Sequence, residues 1–170
     1  MENEDDPSEE GQLTSRAPTE DDLVSLCRAL NDLGAKYLIV GGFAVIYSGY
    51  ARTTTDVDLL IAVDLENEAK VFRSLEALPD KAVLELLPGE VEHYTVVRVA
   101  DEITVDLMKS ASGIDYAAAC NDILIRRVRD VDIPFASPKL LWRMKRNTHR
   151  EKDVLDLLFL RQHYPEVLDA

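Results

Sequence analysis

The chain has 170 residues, 46% of them hydrophobic and 30% charged, with a net charge of −13 at neutral pH. That is one domain of ordinary size with enough apolar material to form a core, and the acidity argues against unspecific nucleic-acid binding. No apolar run approaches the roughly 20 residues a membrane helix needs, so no membrane partner is expected. The polar, acidic N-terminus does not read as a leader, which gives an expected cytoplasmic location. Cys27 and Cys120 lack CxxC spacing and clustered histidines, and read as reduced core thiols rather than a disulfide or zinc framework.

Residues 1–18 are polar, charged and broken by proline, and are expected to be a disordered acidic tail ahead of a single domain over 19–170. Thr19 then reads as a helix N-cap, with Asp22 three residues on. Leu23, Leu26, Cys27, Leu30 and Leu33 recur at helical spacing up to a stop at Gly34. Lys36–Val40 is a short buried strand running into Gly41-Gly42, and Phe43–Ser48 a short helix. Arg52–Thr55 is polar linker. Asp56–Val63 reads as the second strand and Glu66–Leu78 as a helix. Glu92–Val99 and Glu102–Met108 pattern as a hairpin about an Ala100-Asp101 turn, in which Asp101 and Glu102 are turn residues. Tyr116–Cys120 reads as a short helix, and 123–128 and 132–136 as short extended pieces. Ser137 caps a helix with Pro138 at its first position, running to about Asn147. A last helix follows from about His149 to His163, with Val154, Leu157, Leu158 and Leu160 expected on its buried side. The fold class is α/β (α+β): a mixed β-sheet flanked by helices, with C-terminal helices.

In Asp56-Val57-Asp58 the strand alternation sends both aspartates to one face and Val57 into the core. Carboxylates about 6–7 Å apart repel unless something positive lies between them. A hard divalent cation bound through oxygen suits that position. In the later strand Asp106 faces opposite to Ile103, Val105 and Leu107 and offers a third ligand. Three such groups suit a two-cation clamp on an attacking and a leaving oxygen. Asp-x-Asp alone matches often by chance, as a turn aspartate on a solvated edge.

The context upstream changes that balance. Tyr37–Val45 (YLIVGGFAV) followed by Arg52–Leu59 (RTTTDVDL), with thirteen residues between Gly42 and Asp56 and with Val105-Asp106-Leu107 further on, resembles the DNA polymerase beta-like nucleotidyltransferase superfamily. Gly-Gly, Gly49 and Arg-x-Thr before the aspartates look like the AbiEii-type and related minimal bacterial nucleotidyltransferases, as do Ser137–Leu141, Lys145 and Arg150–Leu157. The resemblance implies a nucleotidyltransferase-type fold. It implies that Asp56, Asp58 and Asp106 are the catalytic, metal-holding residues for Mg2+ (or Mn2+). It also implies that Gly41, Gly42, Arg52, Thr54, Thr55, Lys145 and Arg150 bind the nucleotide. The implied reaction moves an NMP from an NTP such as ATP to an acceptor hydroxyl on RNA or protein, within a toxin–antitoxin or phage-defence system. The chain would then have a cognate antitoxin or toxin as partner, and a homodimer stays open.

Arg143, Lys145, Arg146, His149, Arg150 and Lys152 fall close together in an otherwise acidic protein. They read either as a patch facing the triphosphate or as a solvated, ion-paired helix face worth under about 1 kcal/mol per pair. Trp142, Met144, Leu140 and Leu141 read as core. A polycationic, aminoglycoside-like acceptor would suit a negative cleft, but no second domain is evident to build its pocket. Two other readings stand beside the enzyme: an antitoxin of the minimal nucleotidyltransferase class, and a catalytically silent nucleotide- or protein-binding module.

Overall fold

Short apolar segments build a six-stranded sheet in a computed structural model that describes residues 14–170. In chain order, α1 (Glu20–Asp32), β1 (Tyr37–Val40), α2 (Gly41–Tyr47) and β2 (Asp56–Ile61) come first. Then follow α3 (Leu65–Leu75), a single helical turn α4 (Glu90–His93), β3 (Val97–Ala100) and β4 (Thr104–Met108). A small hairpin β5 (Ser110–Ala111) and β6 (Ile114–Asp115) precedes the short α5 (Tyr116–Ala119). The chain closes with β7 (Ile123–Val128), β8 (Val131–Ala136), α6 (Pro138–Lys145) and α7 (Glu151–His163).

Six strands form a mixed sheet in the order β3-β4-β2-β1-β8-β7. The pairs β1/β2, β3/β4 and β7/β8 are antiparallel, while β2/β4 and β1/β8 are parallel. Helix α1 packs on α3 and β8, α2 on β1, β2 and α6, and α7 on α6. One continuous core results, with Leu38, Ile39, Val57, Leu59, Leu60, Val105, Leu107 and Ile133 fully buried. The α/β class with its mixed, helix-flanked sheet is as expected. No helix among the described residues is long and apolar enough to cross a membrane.

Local chemistry places several ends. The Thr19 hydroxyl accepts from the Asp22 N–H while the Asp22 carboxylate accepts from the Thr19 N–H, a reciprocal cap on α1. Ser137 caps α6, with Pro138 opening it. The expected disordered tail lies outside the described residues as far as residue 13. Residues 14–18 form neither helix nor strand, and Arg16 is tied down: its N–H donates to the Glu102 carbonyl, and its guanidinium binds Asp22 and Glu102.

Other expectations are corrected. Glu92–Val99 is not one strand, because α4 occupies its start and β3 begins only at Val97. The buried Glu68 carboxylate receives the N–H groups of Gly89 and Val91 and holds that turn in place. Glu102 lies in a turn wider than expected, organised by Asp101, whose buried carboxylate accepts N–H groups from Asp80, Ala82 and Glu102. The two extended pieces near residues 123–136 are the β7/β8 hairpin at the far side of the sheet. Cys27 is buried, but Cys120 is exposed at the end of α5 and is not a core thiol.

Asn67, on α3, joins the first two strands where they begin and end. Its Oδ1 accepts from the Lys36 N–H at 2.6 Å, and its Nδ2 donates to the Lys36 and Ala62 carbonyls at 2.9 and 2.7 Å. The side chain is 4% exposed, so its truncation strands buried backbone groups. Asn67→Ala is expected to lose about 2–3 kcal/mol of stability, read as a lower urea midpoint with an unchanged slope.

Candidate active site

The parallel pairing of β2 with β4 sets Asp58 directly beside Asp106 in the sheet, and Asp56, two residues before, shares the face. One oxygen from each of the three carboxylates can be chosen so that all lie within 4.8 Å of one another. Val57 between them is fully buried, as the alternation requires. All three line a cavity of about 370 Å3 together with Gly41, Gly42, Arg52, Thr54, Thr55, Lys145 and Arg150. Every sequence-predicted site residue therefore borders one cavity. Oxygen donors at this density fit a hard divalent cation, and Asp56, Asp58 and Asp106 are the residues that would hold it.

The glycine pair is required by the carboxylates as much as by any ligand. Gly41 follows β1 and opens α2 with a left-handed φ of +65°, and a Cβ there would lie 2.8 Å from Asp58 Cγ and closer still to Oδ2. A Cβ on Gly42 would lie 2.7 Å from Thr54 Cβ. Any side chain at either position would push Asp58 or Thr54 out of place. The Thr54 hydroxyl donates to the Asp56 carbonyl at 3.2 Å, which ties the linker to the start of β2.

Arg98 completes the acidic row, and sequence reasoning did not single it out. It stands directly across from Asp106 on β3. Its Nε and Nη2 each donate to a different oxygen of Asp106 at 2.9 Å, and Nη2 reaches Asp56 at 3.5 Å. Burial, then the charges of Asp106 and Asp56, push the Asp58 carboxyl up to about 6, against the pull of Lys152 and Lys145.

The opposite wall is basic. Lys145 is 6% exposed and its ammonium lies 2.7 Å from Asp153 and 3.2 Å from Asp156. Asp153 also accepts from Thr148 at 2.6 Å and from Arg150 Nε at 2.7 Å. Burial alone would raise its carboxyl, but Lys145, Thr148 and Arg150 outweigh that and hold it at about 2. Arg52 donates from Nη2 to Asp156 at 3.0 Å, while its Nε sits 2.8 Å from the other oxygen without the alignment of a hydrogen bond. Lys145 and Arg52 thus border the cavity with much of their charge already matched by α7. Lys152, exposed and also on the cavity, has no ion-pair partner among the described residues. Of the remaining basic cluster, Arg143 pairs with Asp122, and Arg146 binds the Ala170 carbonyl.

Turning these aspartates inward corrects the expected face of α7 at Val154 and Leu158, with Leu157 half-buried and Leu160 buried as expected. Its buried residues are Asp153, Asp156, Phe159 and Leu160, while Val154, Leu155 and Leu158 are about half exposed. The core expectation holds for Leu140, Leu141 and Met144, with Trp142 half-buried.

No family model matches the chain, and no curated protein matches it in sequence. In fold it is similar to a lincosamide antibiotic adenylyltransferase, LnuA, solved with lincomycin bound. The two share 17% identity at a TM-score of 0.56, over 87% of this chain and 99% of that one. It is also similar to an antigenic nucleotidyltransferase-like protein from Paracoccidioides brasiliensis, with 18% identity and a TM-score of 0.53 over 86% of this chain and 78% of that one. The likeness is one of fold: the chain has a nucleotidyltransferase fold.

Two outcomes follow from this electrostatics. The Asp58 carboxyl titrates at about 6 when folded, against 3.8 for an ordinary aspartate. Its stabilising contribution to the metal-free protein is therefore fully present below pH 3.8 and is lost as pH rises through about 6. Denaturation of metal-free protein at about pH 5 and about pH 7.5 should show that fall, and Asp58→Asn should flatten it. Removing Lys145 takes the one buried ammonium from Asp153 and Asp156 and leaves them only Arg150, Thr148 and Arg52, so Lys145→Met is expected to cost about 3 kcal/mol in urea unfolding.

Proposed function

We propose that the chain is a metal-dependent nucleotidyltransferase that moves an NMP from an NTP to an acceptor hydroxyl. The observation that carries this reading is the register of β2 and β4, which gathers Asp56, Asp58 and Asp106 at the glycine turn inside one cavity. A divalent ion bound there, Mg2+ or Mn2+, would offset the negative charge that develops on the reacting phosphate. The acceptor oxygen would bond to the α-phosphorus as the bond to the β-phosphate oxygen breaks, releasing pyrophosphate. The acceptor proton would leave toward Asp106 or water. Gly41 and Gly42, whose missing side chains make way for Asp58 and Thr54, would lie with their backbone against the triphosphate. Thr54, Thr55, Arg52 and Arg150 border that space, and Lys145 steadies the wall behind them. Within the fold we group the chain with the AbiEii-type minimal bacterial enzymes on its Gly-Gly, Gly49 and Arg-x-Thr pattern, and read the acceptor as RNA or protein in a toxin–antitoxin or phage-defence pairing. Shared fold does not carry the acceptor across, so the experiment has to find it.

Purified full-length chain, incubated with each α-labelled NTP and with total RNA or lysate protein, should label one macromolecular fraction only when Mg2+ or Mn2+ is added. Asp56→Ala/Asp58→Ala should leave that fraction unlabelled. Metal-dependent NTP binding without any labelled acceptor would instead favour a nucleotide-binding module, and the absence of both would end the enzyme reading.

A further inference from the structure

We propose that Arg98 is a built-in latch on the carboxylate cluster, holding Asp106 in the metal-free protein and having to release it before a divalent ion can take Asp106 as a ligand. This rests on the reading of Asp56, Asp58 and Asp106 as a metal site. Strand pairing lines up Arg98, Asp106 and Asp58 as cross-strand neighbours on β3, β4 and β2. The guanidinium uses two separate donors on the two Asp106 oxygens and leans toward Asp56. A fork of this kind is the strong geometry for an arginine–carboxylate pair.

A cation bonded to an Asp106 oxygen at about 2.1 Å would stand within about 5 Å of guanidinium nitrogens that lie 2.9 Å from the same oxygens. Like charges that close in a partly buried site repel strongly. Ion and fork therefore compete for one carboxylate. The latch is also built to open. Asp106 is 5% exposed and fixed in the sheet, whereas the Arg98 side chain is 60% exposed on the edge strand β3. Arg98 can swing toward solvent without disturbing the core, and Asp106 cannot move to meet the ion. A triphosphate arriving with the metal would give the released guanidinium new oxygens to bind.

The test is Mn2+ titration of the full-length protein without nucleotide, followed by calorimetry and by electron paramagnetic resonance of bound Mn2+. Arg98→Ala should bind Mn2+ about tenfold tighter than wild type and, stripped of metal, should melt at a lower temperature. Arg98→Lys, which keeps the charge but loses the fork, should fall between them, and it supplies the comparison should Arg98→Ala fail to fold. In an Asp106→Asn background the gain from Arg98→Ala should vanish, because the contested carboxylate is gone. Equal or weaker Mn2+ binding by folded Arg98→Ala would overturn the latch while leaving the metal site standing. No Mn2+ bound by either folded protein would overturn the metal reading and the latch with it.

Discussion

Three carboxylates close enough to share one cation repel one another in its absence, and much of the surrounding chain answers that repulsion. The parallel register of β2 and β4 brings Asp58 beside Asp106, and the strand period adds Asp56 to the same face. The Asp58 carboxyl responds by holding its proton up to about pH 6, with burial and its two neighbours as the causes. Arg98 covers Asp106 from β3, and Lys152 and Lys145 act across the cavity. Even the glycines belong to this arrangement. The Asp58 carboxylate occupies the space a Cβ on Gly41 would need, so the left-handed turn and the acidic cluster require each other.

A second constraint fixes the basic wall. Helices α6 and α7 are fastened by buried ions rather than by apolar packing alone. Asp153 and Asp156 point inward on α7 and hold Lys145, Arg150 and Arg52. Buried pairs of this kind add little net stability, but losing one partner is costly, so the network works as a positioning device. It ties the linker ahead of β2 to α7, 104 residues later in the chain, and so fixes the distance between the acidic strands and the basic helices. The consequence is an α7 in which Leu160 is buried as sequence patterning placed it, while Val154 and Leu158 face outward.

What could be read from the sequence was what local chemistry decides. Thr19 with Asp22, Ser137 with Pro138 and the alternation in Asp56-Val57-Asp58 each act over two or three residues, and each appears where it was expected. Arg98 could not be read that way. Within Val97-Arg98-Val99 it is an ordinary outward residue of a strand, and its role exists only because β3 pairs with β4 in a register that opposes it to Asp106. Helix α7 misled for a related reason: its leucines outnumber its aspartates, yet the aspartates find buried cations contributed by distant segments. Strand β3 was overextended because Glu68, more than twenty residues earlier, pins the preceding turn.

The net charge of −13 suggests a negative cleft, and the lining residues argue otherwise. Five bases, Arg52, Arg98, Lys145, Arg150 and Lys152, line the cavity together with three acids. Most of that positive charge is already spoken for. Lys145 and Arg150 share Asp153, Arg52 is held by Asp156, and Arg98 by Asp106. Lys152 alone is left over, and on the proposed reading a divalent ion at the aspartates would add two charges and set Arg98 loose as a third. A polyanionic triphosphate would then meet positive charge from both walls, and a polycationic acceptor would meet little to attract it. The net acidity of the chain is therefore not a property of this cleft, which on the proposed reading would attract nucleotide and metal together rather than either alone.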